Sequence, residues 1–145
     1  MLLVPSNNAF QSDVADALND SIRRVSREGE VSTIAGRPRG DGEARQSING
    51  DIADARFNKP RAIAVASAGT IFVGDMSGVR QIREGVVSTL CTYTVFGLLL
   101  DEGLLYSTIG CRIVTIVVPT PMERLQERLA PILRTASLVR QQRAV

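Results

Sequence analysis

The feature that most constrains this chain is a run of short apolar segments between residues 51 and 90. These segments are rich in β-branched residues, and glycine, serine or aspartate stands at each junction between them. That alternation is typical of short strands joined by hairpins. The segments at 62–65, 70–73, 79–82 and 86–90 therefore predict a four-stranded antiparallel sheet.

The same pattern occurs twice more, less completely. Residues 14–25 predict the middle strands of an earlier sheet, and Val31-Ser32-Thr33-Ile34 reappears 56 residues later as Val87-Ser88-Thr89-Leu90. After residue 95, two strands joined by a tight turn at 101–103 and a third at 112–117 are predicted. The chain is therefore expected to be an array of similar sheets.

The central sheet resembles an NHL repeat. The resemblance rests on the lead-in Phe57-Asn58-Lys59-Pro60, on the strand that ends in Gly74-Asp75, and on the valine- and threonine-containing strand at 86–90. In that family each repeat is one four-stranded blade of a β-propeller. The resemblance implies an all-β fold of partial NHL-type blades, about two and a half repeats, at residues 1–36, 48–92 and 95–118.

After residue 118 the apolar period changes. Pro119 and Pro121 interrupt the strand pattern, and from residue 122 to 142 apolar residues recur at helical spacing. Residues 119–145 are therefore predicted to form a C-terminal amphipathic α-helix and tail.

The number of blades raises a difficulty, because propellers usually close with about four to eight. Open blades expose edge strands, which folded proteins normally protect. We expect the chain to be a fragment of a longer repeat protein. The alternatives are a homo-oligomer that pairs through the open blade edges and a curled open sheet capped by the helix.

Composition excludes several function classes. Seventeen basic and fifteen acidic residues nearly cancel, so no whole-molecule field draws the chain to nucleic acid or membrane. The absence of histidine excludes histidine-based triads and histidine-ligated zinc, and the two cysteines have no metal-binding spacing. No long uncharged run predicts a membrane span, so a cytoplasmic location is the default expectation.

Two aspartates, Asp16 and Asp75, each end a second strand, and Asn19 lies in the corner that follows Asp16. A carboxylate at a corner can accept backbone N–H bonds, so all three residues are predicted to be structural. The alternative for the aspartates is a calcium site. The sequence predicts no catalytic residue, no metal ligand and no cofactor.

A candidate binding face lies in the segment between the first two blades. In propellers that the chain resembles, this loop and the corners between strands two and three open on the same face. Acidic residues in the segment partly neutralise it, and Phe57 is its single aromatic residue for base stacking. The arginines of the predicted face are Arg37, Arg39, Arg45, Arg56 and Arg61.

These features favour a non-enzymatic interaction module, a scaffold that binds a protein partner through a propeller face. One alternative is a metal-dependent propeller hydrolase or lyase of the lactonase-like kind. A further alternative is binding of single-stranded RNA. The arginines favour it, whereas the scarcity of aromatic residues for base stacking is against it. A membrane partner is not expected.

Overall fold

The computed structural model of the chain describes residues 3–5, through their backbone, and residues 11–118. Within these ranges the chain is all-β, and its strands form three antiparallel sheets. The predicted fold class of antiparallel propeller-type blades is confirmed. The predicted C-terminal helix at 119–145 lies outside the described residues.

The strands follow the chain from sheet to sheet. The first sheet has the order β1-β2-β3-β4 and contains Leu3–Pro5, Ser12–Asp16, Ser21–Val25 and Val31–Ala35. The second has the order β5-β9-β8-β7-β6 and contains, in chain order, Gly50–Asp51, Ala62–Val65, Ile71–Gly74, Val79–Arg83 and Val86–Cys91. The third has the order β10-β11-β12 and contains Gly97–Asp101, Leu104–Ile109 and Arg112–Val117.

Two of the hairpins turn through two residues that both have positive φ. Glu84 and Gly85 join β8 to β9 with φ of 51° and 79°, and Glu102 and Gly103 join β10 to β11 with φ of 45° and 79°. Turns with two positive φ values match the right-handed twist of the flanking strands. The Glu-Gly pairs therefore fix the register of both hairpins.

The first two sheets are repeats of one design. In each, the pairing of the third and fourth strands shifts register at one place, between Ile22 and Arg23 in the first sheet and between Val79 and Arg80 in the second. A β-bulge at the same position bends both sheets in the same way. This alignment places Asp16 and Asp75 at equivalent corners.

The core lies between stacked sheets, because strand residues alternate between two faces. Along β6, Ile63 faces the first sheet, whereas Ala62 and Ala64 face the third. The cluster between the first two sheets contains, among others, Ala15, Ile22, Ala35, Phe57, Ile63, Ile71 and Val73. The cluster between the second and third contains Ala62, Ala64, Phe72, Val79, Val95 and Leu105. Both faces of the inner strands β6 and β7 are thereby covered.

Strand β2 carries a charged residue where the sequence pattern leads one to expect an apolar one. Asp13 is fully buried, and Arg24 on the neighbouring strand donates to both of its carboxylate oxygens, at 2.7 and 3.0 Å. The hydrogen bond raises the pKa of Arg24 above its ordinary value. A paired, bidentate carboxylate satisfies its oxygens inside the fold, which is how a polar residue fits this strand.

Candidate binding face

The segment that joins the first two sheets, residues 36–61, is here called the linking segment. Ile52 N–H donates to Gly85 O in the turn between β8 and β9, and Gly36 N–H donates to Ile52 O within the segment, each at 3.0 Å. Ile48 and Arg56 exchange two further backbone bonds of 3.0 Å. The segment is therefore held to the second sheet at Ile52, and many of its side chains are exposed.

Asp75 ties the second sheet to the linking segment. Its carboxylate is fully buried and accepts the N–H groups of Ser77 and Gly78, at 2.7 and 2.8 Å, within its own corner. The other oxygen accepts the N–H of Asn58 at 3.1 Å and the hydroxyl of Ser47 at 2.7 Å. These four donors, together with Arg80 Nη1 at 3.5 Å, give the carboxylate a structural function and occupy the oxygens that a metal ion would need.

Arg80 is the partner of Asp75 and is also fully buried. Its guanidinium lies 3.5 Å from the Asp75 carboxylate and 5.4 Å from the centre of the Phe57 ring. It donates to Ile48 O, Arg56 O and Asn49 Oδ1, so one side chain from β8 satisfies three acceptors of the linking segment. Burial lowers the pKa of Arg80, and the negative charge of Asp75 opposes that change.

The corner of the first sheet is arranged differently. Asp16 is half-buried and accepts a hydrogen bond of 2.7 Å from the side-chain amide of Asn19. The buried carboxylate of this corner is Asp20, which accepts the N–H of Lys59 at 2.9 Å and Arg45 Nη1 at 2.6 Å. Sequence reasoning missed Asp20, because its two partners lie 25 and 39 residues further along the chain.

The structure brings together four of the five arginines of the predicted face. Arg37, Arg39, Arg45 and Arg56 line one shallow recess, together with Asp20 and Phe57, and we call it the arginine recess. Arg45 pairs with Asp20, while Arg37 and Arg56 pair with Glu43. Four guanidinium groups against two carboxylates leave an excess of two positive charges.

Arg61 lies apart from the arginine recess. Its guanidinium stacks over the ring of Phe96, 5.3 Å from the ring centre, next to the third sheet. Arg61 directly follows Pro60 and precedes β6, and its backbone N–H donates to Gly74 O at 2.9 Å. That bond fixes the position of the residue at the start of β6 and sends its side chain toward Phe96.

Glu43 is the acidic centre of the linking segment. The hydrogen bond from Arg56, the bond from Gly40 N–H and the charge of Arg37 lower the pKa of its carboxyl below the ordinary 4.5. Because the folded chain binds this proton less tightly than the unfolded chain, these ion pairs stabilise the fold above pH 4.5. Their contribution is lost as the pH falls below that value.

Two further properties concern metals and membranes. Within residues 11–118, no three cysteine, aspartate or glutamate side chains are placed so that they could hold a metal ion together. No helix in the described part of the chain has the length and apolar character of a membrane span.

No known family model matches the chain. It is similar to human Teneurin-4, with 27% identity over 110 residues, and to zebrafish (Danio rerio) Teneurin-3, with 36% identity over 67 residues. The first match covers 68% of this chain and 4% of Teneurin-4, and the second covers 41% of this chain and 2% of Teneurin-3. The chain thus spans a very small part of either relative.

Among solved structures, the chain resembles a structural genomics protein of unknown function from Bacteroides thetaiotaomicron. The TM-score is 0.63 at 18% sequence identity, and the match covers 72% of this chain and 32% of that protein. A likeness at this identity concerns the fold alone. The shared fold is of the propeller type, and the described residues form consecutive blades of it.

Proposed function

We propose that the chain is a non-enzymatic interaction module of NHL-type blades that binds an acidic segment of a protein partner at the arginine recess. The NHL assignment is supported by residues that carry the sequence resemblance and also hold the fold. Phe57 is buried in the core, Asn58 donates to both Asp75 and Ser77, and Asp75 closes the corner. The residues of the motif thus have a structural function in the second sheet.

The observation that carries the binding proposal is the charge of the recess. Arg39 is exposed and has no hydrogen-bond or ion-pair partner among the described residues, and Arg37 is exposed with a single contact of 3.5 Å to Glu43. Guanidinium groups bind carboxylates through two parallel hydrogen bonds. Two exposed guanidinium groups in one recess therefore suit a run of aspartate or glutamate side chains.

Protein is favoured over single-stranded RNA by the position of Phe57. Single-strand binders combine positive charge with exposed aromatic rings on which bases stack. Phe57 is fully buried, and one face of its ring is occupied by Arg80. The recess therefore offers charge without a stacking surface, which suits carboxylates better than bases.

Charge reversal tests the proposal. In the variant Arg37→Glu/Arg39→Glu, affinity for a fluorescent glutamate-rich peptide, measured by anisotropy at low salt, is expected to fall about tenfold or more. Arg45 and Arg56 are left unchanged, because their pairs hold the linking segment. The control Arg83→Glu/Arg112→Glu makes the same change in net charge on β8 and β12 and is expected to bind as the unchanged chain does.

Two results would count against the proposal. Equal losses in both double variants would show that net charge, and not the recess, holds the peptide. Tighter binding of a mixed single-stranded RNA than of the peptide, with a steep salt dependence that only the recess variant reduces, would assign the recess to RNA.

Glu43 provides a test in the opposite direction. It occupies Arg37 and Arg56 from within the chain, so it competes with any carboxylate that enters the recess. Glu43→Gln removes that charge and is expected to tighten peptide binding by about two- to fivefold, the scale of an exposed ion pair. Weaker binding would show that Glu43 shapes the recess instead of competing for it. The matched control is Glu84→Gln, because Glu84 pairs with Arg83 away from the recess.

A further inference from the structure

The outer face of the third sheet is apolar and open. Its exposed apolar residues are Leu99 on β10 and Ile113 and Val117 on β12, which are 63%, 71% and 72% exposed. By strand register, Tyr106 on β11 lies on the same face. Leu99, Tyr106 and Ile113 border a depression of about 420 Å³. We call this surface the end face. A contiguous apolar patch of this kind marks a surface that another molecule covers.

The two interfaces already present in the chain show what kind of surface covers a sheet face here. Ile63 and Val73 of the second sheet pack against Ala15 and Ile22 of the first. On its other side, Phe72 packs in one cluster with Leu105 of the third. In both cases the cover is another twisted antiparallel sheet. By continuity with these interfaces, the end face suits a sheet of the same kind.

The first sheet offers such a surface on the side that faces away from the second sheet. By strand register, this side carries Val14, Arg23, Val25, Val31 and Thr33. Val14 is buried, whereas Val31 on β4 is 55% exposed, so the outer part of this side is open among the described residues. Arg23 is partly exposed, with its guanidinium held by Thr33 Oγ1 at 2.7 Å. The end face carries the opposite charge, because exposed Asp101 lies two residues from Leu99 along β10 and also borders the depression. The two surfaces are thus complementary in both apolar and charged character.

We propose that the end face packs against the first sheet of a second copy of this chain. The same contact formed twice, related by a two-fold axis, would join the three sheets of the described residues in each copy into a ring of six. Six lies within the four to eight blades with which propellers close. Each copy then covers the apolar end face of the other. This inference concerns a surface different from the arginine recess and stands without it.

Sedimentation velocity of the whole chain over a wide concentration range tests the proposal. The unchanged chain is expected to sediment as a dimer that dissociates on dilution. Ile113→Glu puts a charge into the contact and is expected to give a monomer. Residue 113 is solvent-exposed in the single chain, so this monomer is expected to melt at the same temperature as the dissociated unchanged chain. Val86→Glu, at an exposed valine of the second sheet, is the matched control and is expected to remain dimeric.

A charge exchange identifies the two surfaces. Arg23→Glu alone and Asp101→Arg alone are each expected to weaken the dimer, and the two changes together in one chain are expected to restore it. That recovery is expected only if residue 23 of one copy faces residue 101 of the other. A chain that is monomeric at every concentration, or a dimer that survives Ile113→Glu, would overturn the proposal. If Ile113→Glu dissociates the dimer but the combined charge exchange does not restore it, the end face does not pair with the first sheet.

Discussion

Asp75→Ala is expected to lower the free energy of unfolding by about 3–5 kcal/mol, the cost of leaving a buried charge without its partner. Arg80 would keep its guanidinium inside the core with no carboxylate beside it, since both groups are fully buried. The N–H groups of Ser77, Gly78 and Asn58 and the Ser47 hydroxyl would lose their acceptor at the same time. Urea denaturation followed by circular dichroism measures the change.

The matched control is Asp16→Ala, at the equivalent corner of the first sheet. That carboxylate is half-exposed and holds one side-chain amide, so its loss is expected to cost less than about 1 kcal/mol. Asp75→Ala/Arg80→Leu separates the pair from the corner, because it removes the uncompensated charge and is expected to recover part of the loss. If Asp16→Ala and Asp75→Ala cost the same, the buried ion pair contributes nothing beyond the corner itself.

The fold class could be predicted because its signals are local. Short β-branched segments separated by Glu-Gly or glycine-containing turns specify strands and hairpins within about ten residues of each other. The Glu84-Gly85 turn, for example, needs only its own two residues and the strands on either side of it. The stacking of one sheet on the next follows from the alternation of apolar residues along each strand.

The polar contacts that hold the sheets together could not be predicted in the same way. Arg80 donates to Ile48 O and Asn49, 32 and 31 residues away, and Asp20 accepts from Lys59, 39 residues away. A charged residue in a strand ordinarily suggests an exposed position, because burial of an unpaired charge is costly. Only the fold shows that these charges are paired, and the sequence contains no local sign of which partners they have.

Prediction of the candidate binding face was limited in the same way, because contacts between distant residues decide where its side chains lie. The five arginines are close in sequence, and four of them meet around the arginine recess. Arg61 differs because it is bonded at the start of β6, where its side chain reaches Phe96 of the next blade. The sequence showed that acidic residues lie in the linking segment, but the structure was needed to show that Glu43 is the one that pairs with two of the arginines.

Phe57→Ala is expected to lower the free energy of unfolding by about 3–5 kcal/mol, the usual cost of removing a buried aromatic side chain. The ring is fully buried in the cluster between the first two sheets and lies beneath Arg80. It also packs so closely on Gly36 that a methyl group there would lie 2.8 Å from its edge. Truncation therefore opens a cavity at the point where the linking segment, the core and the arginine recess meet.

Two comparisons make this expectation specific. Phe96 also stacks with an arginine but is 55% exposed, so Phe96→Ala is expected to cost far less than Phe57→Ala in the same urea measurement. Phe57→Leu keeps most of the buried volume and is expected to cost less than about 1.5 kcal/mol. Since the ring serves packing and not stacking on a ligand, the leucine variant is also expected to bind the glutamate-rich peptide as the unchanged chain does. A leucine variant that stays folded but loses affinity for single-stranded RNA would show that the ring reaches a ligand, and the preference for an acidic protein partner would then be wrong.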